Sequence, residues 1–238
     1  MSSFEIIVDG LWRAFEIILS GDPEIMGITM LSLRVSITAT LLGAIAGIPL
    51  GYIIATKEFI GKSFVTAIIN TFMGLPPVAV GLFVYLMLSS FGPLGFLRLL
   101  YTPEAMIIAQ LILAFPIVCG ITISSVMGLN PKLKETLTSL NAPTLWQARV
   151  LLNESRLGIL TALIAAFGAA ISEVGAIMMV GGNLLGYTRA LTTAIMLYTS
   201  MGDFAIAIAL GIILLLIAFA INIFLTVLQT KSRTKSSI

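Results

Sequence analysis

Residues 159–180 read ILTALIAAFGAAISEVGAIMMV, and Glu173 is the single charge among them. The run is long enough to cross a hydrocarbon core of about 30 Å as one helix. A charge at mid-helix there costs roughly 2.5–3.5 kcal/mol on insertion scales, so Glu173 is expected to face protein or a wet cavity. Such residues mark transport routes, and the stretch reads as part of the membrane half of a transporter.

The rest of the composition agrees. Of 238 residues, 58% are hydrophobic and 10% charged, which is more apolar surface than one soluble core of this size can hide. The chain has no histidine and one cysteine, Cys119, in an apolar run. It therefore cannot build a haem, iron–sulfur or histidine-rich metal site from its own ligands, and no cofactor is expected. No basic tract suggests nucleic acid. Glu5 and Asp9 precede any positive charge, the reverse of a secretory signal, so cleavage is not expected.

Five stretches predict spans: 28–55, 64–90, 104–127, 157–180 and 203–229. Residues 4–19 are too short and too charged for a sixth, and read as an amphipathic helix on the membrane surface or against a partner. Lys57 and Lys62, then Lys132, Lys134, Arg149 and Arg156, then Lys231, Arg233 and Lys235 fall on one side of five spans. They are nine of the thirteen basic residues, so that side is expected in the cytoplasm, with the N-terminus outside. No linker or repeat divides the chain. It reads as one all-α polytopic bundle: an interfacial segment 1–27, a membrane domain 28–230 with an inner loop 129–156, and a basic tail 231–238.

Glycines and prolines punctuate the spans. Gly43, Gly47 and Gly51 recur every four residues and suit either close packing inside one bundle or a dimer seam. Pro49, Pro76-Pro77 and Pro116 are each expected to bend or break a helix. At Gly74-Leu75-Pro76-Pro77 a break could be a packing solution or a way to expose backbone groups to a central pathway.

The inner loop carries helical signals of its own. Asn130 suits an N-cap and Pro131 a first turn, with Leu133, Leu137 and Leu140 on one face and Lys132, Lys134 and Glu135 open to water. Asn141-Ala142-Pro143 should end this helix, and a second should start at Thr144 and hold Trp146, Val150 and Leu152. The hairpin could lie on lipid or plug a groove on a cytoplasmic protein.

That loop resembles the coupling loop in permeases of ATP-binding-cassette importers. Glu135-Thr136-Leu137 stands at the usual Glu-Ala-Ala start, Asn141-Ala142 where Gly-Ala is usual, Trp146-Gln147 follows, and Leu151-Leu152-Asn153 replaces the Leu-Pro close. A stronger resemblance lies at Ser172-Glu173-Val174-Gly175-Ala176, Met178-Met179-Val180-Gly181-Gly182-Asn183 and Leu191-Thr192-Thr193-Ala194. Molybdate and sulfate permeases look similar there, and the version in this chain is most similar to the tungstate permease branch. Gly74-Leu75-Pro76-Pro77-Val78 fits the same oxyanion group.

The resemblance implies the fold of a type I importer permease, acting as a homodimer with two cytoplasmic ATPase subunits and an external oxyanion-binding protein. The cargo would be tungstate, with molybdate or sulfate next. Lys134, Glu135, Leu137, Leu140, Asn141, Ala142 and Trp146 would then serve coupling to the ATPase. Arg34, Pro76, Pro77, Ser172, Glu173, Gly175, Asn183, Thr192 and Thr193 would line or gate the pathway.

Several residues have two readings. Arg34 could snorkel to lipid headgroups, or pair with Glu173 or attract an oxyanion. Glu173 suits a packing or gating role better than cargo contact, because a carboxylate repels a divalent anion. The outer segment 181–202 reads as an exposed loop of Gly, Thr and Asn around Arg189. Gly61-Lys62-Ser63 lacks the earlier glycine and the strand of a phosphate-binding loop, so the chain should not hydrolyse ATP itself. The rival from another class is a stand-alone carrier using Glu173 as a proton or sodium site. Five spans without an inverted repeat and a structured basic loop argue against it.

Overall fold

The computed structural model describes residues 3–234. Among them every regular element is helical. Helix α1 spans Ser3–Ser20, α2 Pro23–Thr56, α3 Lys62–Phe72, α4 Pro77–Leu88, α5 Pro103–Met127, α6 Pro131–Ser139 and α7 Thr144–Glu154. Then come α8 Arg156–Ile171, α9 Gly175–Gly181, α10 Leu191–Ser200 and α11 Phe204–Thr234. Lys235, the last basic residue of the expected tail, lies outside the described residues, and Lys231 and Arg233 continue α11.

Three helices, α2, α5 and α11, are long and apolar enough to cross a membrane unbroken. Two bent pairs bring the number to as many as five. In the first, α3 and α4 meet at 97° across Met73–Pro76, where Pro77 starts the new helix with its fixed φ. In the second, α7 and α8 meet at 67° at Ser155. Pro49 and Pro116 lie inside α2 and α5 without ending them.

Helix α2 is the spine, contributing to all four apolar clusters. Its glycines resolve the choice between bundle and seam. A Cβ at Gly47 would lie 3.1 Å from the Cys119 amide, and one at Gly51 2.8 Å from the Cys119 carbonyl, so this stripe is spent on packing α2 against α5 within the chain.

Asp22 separates the first two helices, accepting from the Glu24 and Ile25 amides as an N-cap. Helix α1 lies along α11, close enough that a Cβ at Gly10 would lie 2.5 Å from Ile208 Cγ2. Of the two sequence readings of residues 4–19, this contact favours packing on protein, and the protein is the chain itself.

Polar ties fix which ends meet. Lys134 Nζ donates to the Thr56 carbonyl, and Gln229 Nε2 to the Leu157 carbonyl and Thr161 Oγ1. The three basic segments therefore gather at one end of the bundle. At the opposite end Ser32 Oγ accepts from the Leu191 amide, and the Tyr101 amide donates to the Val180 carbonyl.

Candidate functional site

Two places hold the residues singled out by sequence. The first is where the interrupted helices meet. Helix α8 stops at Ile171, so 157–180 is not one span: Ser172-Glu173-Val174 breaks it and α9 restarts at Gly175. Ser172 Oγ turns back to the Gly168 carbonyl at 2.8 Å, while Glu173 Oε1 accepts from the Ala176 amide at 2.9 Å. The carboxylate is thereby seated at the start of α9, where free amides and the helix dipole favour negative charge. A charge that looked stranded at mid-helix is satisfied by backbone.

The second halves of both broken helices lie side by side. A Cβ at Gly81 of α4 would sit 2.7 Å from Ala176 Cα, and one at Gly175 2.6 Å from Val78 Cγ2, next to Pro77. Thr192 Oγ1 donates to the Glu173 carbonyl at 2.7 Å and closes the joint from α10. Pro76, Pro77, Ser172, Glu173, Gly175 and Thr192 thus belong to one neighbourhood. Thr193 is fully buried and caps α10, accepting from the Ala190 amide at 2.9 Å.

Two further candidates lie toward the opposite end from the hairpin. Asn183 follows α9 in a left-handed conformation at φ 52°, a region asparagine tolerates better than most residues. Arg34 does not reach Glu173: it pairs with Glu104 of α5 at 3.6 Å, both side chains exposed.

Sequence reasoning missed three parts of this joint. Segment 181–202 is not a plain exposed loop, because it contains α10, with Leu191, Thr192, Thr193 and Ala194 buried. The apolar spacing Leu191, Ala194, Ile195, Tyr198 was the available signal, since these four pack in one cluster with α11. Gln110, 2% exposed in α5, donates from Nε2 to the Ala170 carbonyl at 2.8 Å and so takes up a carbonyl in the last turn of α8. Its signal was being the lone polar amide in an apolar span. Ser32 is the third, and with Ser36, Gln110 and Thr192 it lines a cavity of about 10 Å³, room for one water.

The second place is the hairpin of α6 and α7. Asn130 Oδ1 accepts from the Lys132 amide at 3.0 Å, and Pro131 opens α6. Leu137 and Leu151 are buried beneath it. Asn141 adopts φ 51°, the left-handed turn that a glycine would otherwise supply, and Gln147 Nε2 pins the turn by donating to the Ala142 carbonyl at 2.8 Å. Leu140 does not continue the buried face of Leu137. It is 68% exposed, and with Leu145 at 84% and Trp146 at 51% it makes an apolar tip beside exposed Glu135. Lys134 is exposed to water as expected, and its ammonium also donates to the Thr56 carbonyl at 2.9 Å.

A bundle of broken membrane helices with a structured basic hairpin at one end is the architecture of importer permeases. Residues 47–234 match the family described as binding-protein-dependent transport system inner membrane component, and the chain belongs to that family. It is a multi-pass protein of the cell membrane. Among named relatives it is 42% identical to the tungstate uptake system permease protein TupB of Peptoclostridium acidaminophilum, over 94% of this chain and 99% of that one. It is 37% identical to the tungstate uptake system permease protein TupB of Campylobacter jejuni over 92% and 91%. The molybdenum transport system permease protein ModB of Escherichia coli is more distant, at 28% identity over 83% and 93%.

Solved structures share the fold. A bacterial ABC transporter for the acidic polysaccharide alginate superposes with TM-score 0.74 at 21% identity, covering 92% of this chain and 83% of that one. The MetNI methionine ABC transporter gives 0.70 at 17%, covering 88% and 95%.

Proposed function

We propose that this chain is the permease subunit of an ATP-driven tungstate importer, in which two copies enclose the pathway, two cytoplasmic ATPase subunits bind the hairpins and an external binding protein delivers the oxyanion. The observation that carries the reading is the similarity to two tungstate permeases at 42% and 37% identity over more than nine-tenths of the chain. The gathering of the basic segments at the hairpin end supports a cytoplasmic hairpin and C-terminus, with the N-terminus outside.

The chemistry fits such a division of labour. An apolar tip of Leu140, Leu145 and Trp146 held up on two short helices suits insertion into a groove on a soluble partner. ATP binding closes the ATPases and moves the hairpins, opening the pathway outward, and hydrolysis resets it. Glu173 is seated on backbone rather than held ready for an anion, so its role is to fix the break from which α9 starts. A neutral amide such as that of Asn183 releases cargo readily, leaving tight selection to the binding protein.

Vesicles containing the permease with its ATPase and binding protein test the reading. Tungstate should stimulate ATP hydrolysis and enter only with ATP, at lower concentration than molybdate or sulfate. Uptake driven by a proton gradient with no ATPase present would install the secondary carrier instead.

A further inference from the structure

We infer that Lys134 is a positioning residue that fastens the hairpin to the end of α2, so that displacement of α6 is delivered to α2 and along it to the joint at Ser32. The inference rests on the importer reading above. A helix leaves its last carbonyls without intrahelical donors, and that end carries partial negative charge. In α2 three of these carbonyls are taken up. The Lys57 amide donates to the Ile53 carbonyl at 2.9 Å, Lys62 Nζ to the Ala55 carbonyl at 3.3 Å, and Lys134 Nζ to the Thr56 carbonyl at 2.9 Å. Ammonium groups from two other elements, α3 and α6, thus meet at one helix terminus.

Packing contributes little to this link. Helix α6 packs thinly on the rest of the chain, and a crevice of about 230 Å³ opens between Pro131 and Lys134 on one side and Ala55 and Thr56 on the other. The lysine bridges that crevice. The residue stays exposed to water, yet its ammonium is aimed at a carbonyl of its own chain.

What Lys134 holds is suited to carry a displacement. Helix α2 has 34 residues, about 50 Å at the usual rise, and is seated in every core cluster. Near its other end Ser32 Oγ accepts from the Leu191 amide at 2.8 Å, and the next residue, Thr192, holds the Glu173 carbonyl. The physical path from hairpin to break is therefore one tie, one helix and two hydrogen bonds.

The test uses the complete complex in vesicles. Lys134→Met is expected to lower tungstate-stimulated ATP hydrolysis about five-fold, the factor that one lost hydrogen bond carries, with KM for ATP unchanged. Lys134→Arg, which keeps a charged donor, should restore it. Stimulation in Lys134→Met equal to that of the parent overturns the inference, and so does an arginine variant as defective as the methionine one. Should Lys134→Met fail to assemble, spin labels at Thr138→Cys and Ile53→Cys decide. An unchanged separation with and without trapped ATP supports a fastened pair, and a shift of about 5 Å, one helical turn, overturns it. A parent complex with no ATP-driven uptake defeats the importer reading itself and takes this inference with it.

Discussion

The α2–α5 pair and the α4–α9 pair are both built on glycine, yet they hold together differently. In the first, two long helices run unbroken and Gly47 and Gly51 bring backbone to backbone over several turns. In the second, Gly81 allows an equally close approach, but each helix is short, 12 and 7 residues, and begins at a break. Short helices have a larger share of unsatisfied ends, so the second pair needs the Glu173 carboxylate and the Thr192 hydroxyl where the first needs only shape. Volume governs the spine; polar ties govern the joint.

The largest effect should come from the spine. Gly51→Val drives side-chain atoms into the Cys119 carbonyl and Thr122, and should cost about 3 kcal/mol, read as a lowered unfolding temperature of the purified protein. An unaltered melting curve would mean that the two helices are not in contact there.

At the joint the losses are smaller in stability and larger in transport. Glu173→Ala removes the acceptor of the Ala176 amide and should cost about 1 kcal/mol while strongly reducing uptake. Glu173→Gln keeps an acceptor oxygen and should melt like the parent; equal melting of the alanine and glutamine variants would contradict the capping role. Thr192→Val should cost about 1 kcal/mol or slightly less, and Thr192→Ser, which retains the donor, should recover it in both melting and uptake assays.

The smallest effect lies at the hairpin end. The hydrogen bond and charge of Lys62 hold the Glu58 carboxyl below its ordinary value of 4.5, with Lys134 adding a lesser pull. An acid with a depressed folded-state pKa stabilises the fold above its ordinary value, and that contribution is lost as pH falls through the lowered one. Melting temperature measured on acidification below about pH 5 should therefore fall less steeply in Lys62→Met than in the parent.

The same contrast explains what was legible in the sequence. Spans at α2, α5 and α11 are uninterrupted apolar runs, and hydropathy finds them. The break before α4 announces itself through Pro76-Pro77, and the hairpin through Asn130, Pro131 and Pro143. The break before α9 has no such breaker: Ser172-Glu173-Val174 keeps the apolar rhythm, and only hydrogen bonds reaching backward to Gly168 and forward to Ala176 reveal it. Helix α10 hides for a related reason, since its threonines look like loop residues until Thr193 is seen capping Ala190 and Thr192 gripping Glu173. The partner of Arg34 was beyond sequence altogether, because Glu104 is 70 positions away and the pairing depends on how α2 and α5 cross.

Cys119 lies with no exposed surface in the seam where Gly47 and Gly51 press on α5. Enclosed sulfur of this sort is chemically quiet. Water-soluble maleimides should pass it by, so the native chain already serves as a blank background for cysteine scanning, and any modification seen can be assigned to the introduced position.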